Sequence, residues 1–119
     1  MIRGFRDLIA YQKAYQMSLD MHRLTMKLPR FEQMELASQL RRASKSIALN
    51  IAEGYGRKYR STLADFRRFI VIAMGSCDEV NALLDYCRDL GYINDQEHNE
   101  HIKACNEIGK LLSSMLTWT

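Results

Sequence analysis

Apolar residues recur along this chain at helical spacing, and nowhere do they alternate in the two-residue rhythm of a strand. Ala10, Ala14, Met17, Met21, Leu24 and Leu28 step by fours and threes, which aligns them on one helical face. The pattern predicts a first helix over about 5–28, stopped by Pro29, which disfavours helical geometry at the residue before it. A second helix over about 33–54 carries Leu36, Leu40, Ala43, Ile47 and Ile51. Beside that stripe runs a row of small residues, Ala37, Ser44, Ala48 and Ala52. Gly54 or Gly56 is expected to end this helix in a left-handed cap.

The third helix, about 62–90, has the strongest pattern. Leu63, Phe66, Ile70, Ala73, Cys77, Val80, Leu84 and Cys87 alternate in a heptad seam. Thr62 and Asp65 suit its start, and Gly91 suits its end. A second stripe of Phe69, Ile72, Ser76, Leu83, Tyr86 and Leu90 lies next to the seam. One bundle is not expected to cover both, so the surplus face points to self-association. The fourth helix, about 94–118, opens on Asn94 with Glu97 as its capping partner. Four helices with short links predict an all-α, up-down-up-down bundle in a single domain spanning 1–119.

Composition narrows the setting. At 119 residues the chain is one domain's worth of protein, with 47% hydrophobic and 26% charged residues. No apolar run approaches the ~18 residues of a membrane span, so no membrane partner is expected. The opening residues lack the apolar core of a signal peptide, and three cysteines are an odd number for a disulfide framework. Both features favour a cytoplasmic protein.

Charge changes the picture more. The net charge is only +3, but residues 41–68 hold eight basic and two acidic side chains. Residues 69–119 hold three basic and eight acidic ones. Arg41, Arg42, Lys45, Arg57, Lys58, Arg60, Arg67 and Arg68 form a block suited to phosphate contacts. Tyr55 and Tyr59 interleave with these cations in an expected loop that leads into the third helix, and tyrosines stack on bases. The competing reading is a solvated loop whose tyrosines lie on the bundle.

Little in the sequence points to reaction chemistry. His98, His101 and Cys105 share a helix face, but no fourth zinc ligand accompanies them, so no metal is expected. Cys77 and Cys87 fall in the heptad seam, where a thiol acts as a small hydrophobe. Gly54-Tyr55-Gly56 follows a helix and matches no phosphate-loop pattern. Glu53 lacks an acid/base partner in sequence. No catalytic residue and no cofactor are assigned, and an enzyme is disfavoured.

The stretch from Leu36 to Arg57, with SQLRRA followed by SI, two residues and NIAEGYGR, is distinctive. It resembles the bacterial four-helix-bundle proteins associated with intervening sequences in 23S rRNA genes. Phe5-Arg-Asp-Leu8, Phe66-Arg-Arg-Phe69, Ala73-Met-Gly-Ser76 and Leu90-Gly91-Tyr92 agree with that resemblance. Ala48 stands where members often carry proline, which implies a straighter second helix. The resemblance implies a homo-pentameric ring or barrel, with a distant likeness to the accessory proteins of diversity-generating retroelements. It implies no catalytic residue. Phe69, Ile72, Leu83, Tyr86, Ser46, Asn50 and Glu53 are the expected oligomer interface.

Two readings of function follow. The first is a non-enzymatic, oligomeric protein that binds RNA or DNA, or acts as a scaffold, through the 41–68 block. The second is an adaptor whose ring docks a partner protein without nucleic acid.

Overall fold

The computed structural model describes all 119 residues. Four helices, α1 (Ile9–Met26), α2 (Leu36–Arg60), α3 (Leu63–Asp89) and α4 (Asp95–Met115), account for most of the chain. Short 3-10 turns at Phe5–Asp7 and Arg30–Glu32 precede α1 and α2. There is no strand. Consecutive helices pack side by side, most extensively α2 on α3, and α4 returns lightly to α1. The body measures 44 × 25 × 21 Å. At ~1.5 Å per residue, α3 runs nearly its full length.

The heptad seam of α3 forms the axis of the core. Phe66, Ile70, Ala73, Cys77, Val80, Leu84 and Cys87 are all buried. They join the stripes of the other helices in one cluster of 26 apolar residues. Each large aliphatic or aromatic side chain in it contributes about 1.5–3 kcal/mol through water exclusion. The helix boundaries carry the signals read from sequence in three places. Thr62 Oγ1 accepts from Asp65 N at 3.0 Å at the start of α3. Asn94 and Glu97 form a reciprocal capping box at 2.8 and 3.0 Å at the start of α4. Gly91, at φ +82°, is the one residue in the left-handed region. Its N–H donates to Arg88 O and that of Tyr92 to Cys87 O, which satisfies the last carbonyls of α3.

The second helix departs from expectation at both ends. Residues 30–35 do not join it, because Gln33 turns back to cap α1: its Nε2 donates to Thr25 O at 2.8 Å and Leu28 O at 3.0 Å. At the other end α2 runs straight through Gly54 and Gly56 to Arg60. The expected loop 55–61 is therefore mostly helix. The penalty for glycine in a helix is about 1 kcal/mol each, and the packing of α2 on α3 exceeds it. The first helix starts later than expected, at Ile9. Asp7 instead accepts from Arg3 N at 2.7 Å and Gly4 N at 3.3 Å and closes a turn of its own. The fourth helix stops at Met115, three residues short of the expected end.

No helix is long and apolar enough to cross a membrane.

Candidate nucleic-acid interface

The eight cations of the 41–68 block have different fates. Arg41 is turned inward: Nη1 donates to Thr25 Oγ1 and Gln33 Oε1 at 3.0 and 3.1 Å, and Nη2 to Gln33 O at 3.0 Å. It braces the α1–α2 corner. Arg67 crosses to the end of α4, donating through Nε to Leu116 O and through Nη2 to Trp118 O, both at 3.1 Å. A cation there also complements the negative end of the helix dipole. These two arginines, expected to contact phosphate, are engaged inside the subunit. Lys58 Nζ donates to Thr119 O at 3.1 Å, and Lys45 Nζ lies 3.1 Å from His22 Nδ1.

Arg57 and Arg68 flank one ring. Their guanidinium carbons lie 5.2 and 4.9 Å from the Phe69 centroid. Each also meets a carboxylate, Glu53 at 3.3 Å and Asp65 at 3.7 Å. Arg42 and Arg60 are exposed and join no salt bridge.

The helical form of residues 55–60 has a geometric consequence. Tyr55 and Tyr59, four apart, share a face, as do Gly56 and Arg60. The two tyrosine rings lie 5.0 Å apart at 55°. Burial, and then Tyr59, hold the Tyr55 hydroxyl above its ordinary pKa. Tyr59 is 66% exposed. These residues form one wall of an open groove of about 630 Å³, whose other wall is Ile2, Arg3 and Phe5. Sequence reading missed that second wall. Nothing local marks Arg3 as a neighbour of Arg60; the 3-10 turn at Phe5–Asp7 packs against α2 and brings them together.

The expected interface residues lie along the α2–α3 seam. Ser46 Oγ meets Ser76 Oγ at 2.8 Å, and Asn50 Nδ2 donates to Ser46 O and Oγ at 2.8 and 3.0 Å. Ile72, Tyr86 and Glu53 are exposed beside this polar seam, and Phe69 is half-buried under its two arginines. Leu83 differs: it is buried in the subunit's own core, together with Ser76 of the same stripe. α2 covers that part of the stripe, which sequence spacing had left open. Near the far end of α3, Met34, Tyr86 and Leu90 are all exposed and line one shallow groove.

The residues weighed for reaction chemistry occupy structural positions. Cys77, Cys87 and Cys105 are buried free thiols, and Cys105 Sγ approaches Cys77 O at 3.4 Å. His98 is buried and bonded to Asp85 Oδ1 at 2.8 Å. No group of three His, Cys, Asp or Glu side chains gathers for a metal ion. Glu32, also buried, accepts from Tyr92 Oη at 2.7 Å and ties the α1–α2 corner to the α3–α4 turn.

Comparison with known proteins places this architecture. A solved structure of a protein of unknown function from the S23 ribosomal protein family of Bacteroides thetaiotaomicron superposes with a TM-score of 0.82 at 23% identity. The match covers 92% of this chain and 96% of that one, and it establishes a shared fold. No curated protein matches. The sequence profile of the 23S rRNA-intervening sequence proteins matches residues 6–114, almost the whole chain. This chain belongs to the 23S rRNA-intervening sequence protein family.

Proposed function

We propose that this protein is a non-enzymatic, cytoplasmic, oligomeric nucleic-acid-binding or scaffolding protein, built as a homo-pentameric ring. The observation that carries the reading is the cationic end of the α2–α3 hairpin. There Arg60 is exposed without a carboxylate partner, and Arg57 and Arg68 are held on the Phe69 ring; Arg42, also exposed and unpaired, lies about five turns back along α2. Lys45 and Lys58 add charge to the same hairpin. Ring symmetry repeats this surface on every subunit and multiplies its field. Such contacts grip the backbone of RNA or DNA without reading sequence.

The test is binding of labelled structured RNA and duplex DNA across a salt series, after light scattering has fixed the oligomeric state. Wild type is compared with a double variant, Arg42→Glu and Arg60→Glu. Binding is expected to weaken steeply with salt. In the variant the salt slope is expected to fall by about 0.7–0.9 for each phosphate no longer neutralised. Absence of binding at low salt would remove this reading.

A second reading is favoured by the exposed apolar group Met34, Tyr86 and Leu90, which share one shallow groove. On a ring subunit such a patch suits a partner protein, and the family protein is then an adaptor. A pull-down that returns protein free of nucleic acid, and no longer does so with Met34→Asp, would support this second reading.

A further inference from the structure

The groove between the N-terminal segment and the end of α2 combines features that an unpaired strand uses and a duplex does not. We propose that this groove is a binding site for single-stranded nucleic acid, with a base stacked on Tyr59 and the flanking phosphates held by Arg3 and Arg60. The proposal rests on the nucleic-acid reading above and assigns it an address and a strand state.

Three observations support it. First, the walls carry Phe5, Tyr55 and Tyr59, and Tyr59 is two-thirds exposed on a helix whose other large apolar side chains mostly reach the core. A duplex hides its base faces in the stack and has nothing to offer these rings; an unpaired base presents a full π face. Second, Arg3 and Arg60 stand on opposite walls and neither joins a salt bridge, while the one carboxylate of the lining, Glu53, is paired with Arg57 at 3.3 Å. The 630 Å³ space is of the size that takes a small organic group rather than a helix. Third, Gly56 is built into the wall. A Cβ on Gly56 would overlap the Arg60 guanidinium where it now lies, so the glycine leaves room for that cation to fold back along the helix into the groove. A glycine inside a helix is unfavourable by itself, and here the space left by its missing side chain is filled by the cation.

The contacts invoked are to base faces and phosphates, which RNA and DNA share. The test is fluorescence anisotropy with a ~15-nucleotide strand, alone and annealed to its complement, in RNA and in DNA. Wild type is compared with Tyr59→Ala, Tyr59→Phe and Gly56→Ala, with circular dichroism melts as the check on folding. Single strands of either sugar are expected to bind about tenfold more tightly than the duplex. Tyr59→Ala abolishes that preference and leaves weak, salt-sensitive duplex binding, while Tyr59→Phe retains it. Gly56→Ala keeps the net charge and does not lower the melting temperature, yet weakens single-strand binding several-fold by displacing Arg60.

Equal binding of strand and duplex, or single-strand binding indifferent to Tyr59→Ala and Gly56→Ala, overturns the groove assignment while the general nucleic-acid reading stands. No binding to either form at low salt overturns both.

Discussion

Gly54 of α2 lies so close to Phe69 of α3 that a Cβ on Gly54 would sit 3.1 Å from the Phe69 Cβ and 3.3 Å from the Phe66 carbonyl oxygen. Both neighbouring atoms belong to or adjoin the α3 backbone, so neither is free to swing aside. Gly54→Ala gains about 1 kcal/mol of helix propensity and forces α2 and α3 apart, which costs about 1–3 kcal/mol. The expected net result is a melting temperature lowered by a few degrees. A variant more stable than wild type would show that α3 yields. Gly56→Ala, where only a flexible side chain is displaced, is expected to leave stability unchanged or raised.

Arg41 is expected to act on stability and not on ligand binding. Its fork joins Thr25 and both oxygens of Gln33, and Gln33 in turn caps α1. Arg41→Ala leaves these part-buried groups without a donor and is expected to cost roughly 2 kcal/mol in chemical denaturation. Arg41→Lys should restore little of it, since an ammonium cannot reproduce the planar fork. A salt slope for RNA binding that falls in Arg41→Ala at unchanged stability would contradict this assignment.

Arg67 has a local reporter. Trp118, the one tryptophan, stacks on Phe66 at 5.9 Å and 11°, and its carbonyl accepts from Arg67. Removal of the arginine frees the last carbonyls beyond α4. In Arg67→Ala, Trp118 emission is expected to shift to the red and acrylamide quenching to increase, with stability lower by about 1 kcal/mol. Unchanged emission would mean that the apolar contact alone holds the end of the chain.

The Tyr92–Glu32 bond makes stability depend on alkaline pH. The hydrogen bond to Glu32, and then burial, push the Tyr92 hydroxyl up to about 12 from an ordinary value of 10.0. Between these values the folded protein holds a proton that the unfolded chain has released, so stability falls as pH rises. The contribution is complete below about pH 10 and gone above about pH 12. Denaturation midpoints of wild type and Tyr92→Phe should therefore differ most at neutral pH and converge as the pH rises through that window. Parallel curves would rule the bond out as the source.

The thiols are expected to be silent in the native state. Cys87 and Cys105 are fully buried and Cys77 nearly so. Burial pushes the Cys87 thiol up to about 11, and the hydrogen bond with Cys105, followed by burial, holds Cys77 above its usual range; the same bond lowers Cys105, which is shielded by its complete burial. A thiol reagent at pH 8 should modify none of the three until denaturant is added, and all three afterwards. Fast labelling of one cysteine in the folded protein would indicate local opening at that helix.

Spacing along the chain was enough to specify the four helices, their order and most of the core. Those properties depend on residues within one segment: a heptad run such as Leu63 to Cys87 buries the same face whatever lies opposite. The caps at Thr62, Gly91 and Asn94 were legible for the same reason, since each acts over three or four residues. What crosses between segments was not legible. A glycine pair reads as a helix end until a neighbouring helix is known to press on it, so α2 was expected to stop near residue 54 and instead reaches Arg60. The basic block was visible as a count, but a count does not say where a side chain points. It took the packing of helix on helix to turn Arg41 and Arg67 inward to orphaned carbonyls and to send Leu83 into the core. The same packing set Arg3 and Phe5 across a groove from Tyr59 and Arg60, more than fifty residues away in sequence. Charge and hydrophobicity belong to the residue; burial and partnership belong to the fold, because both require atoms that the local sequence does not contain.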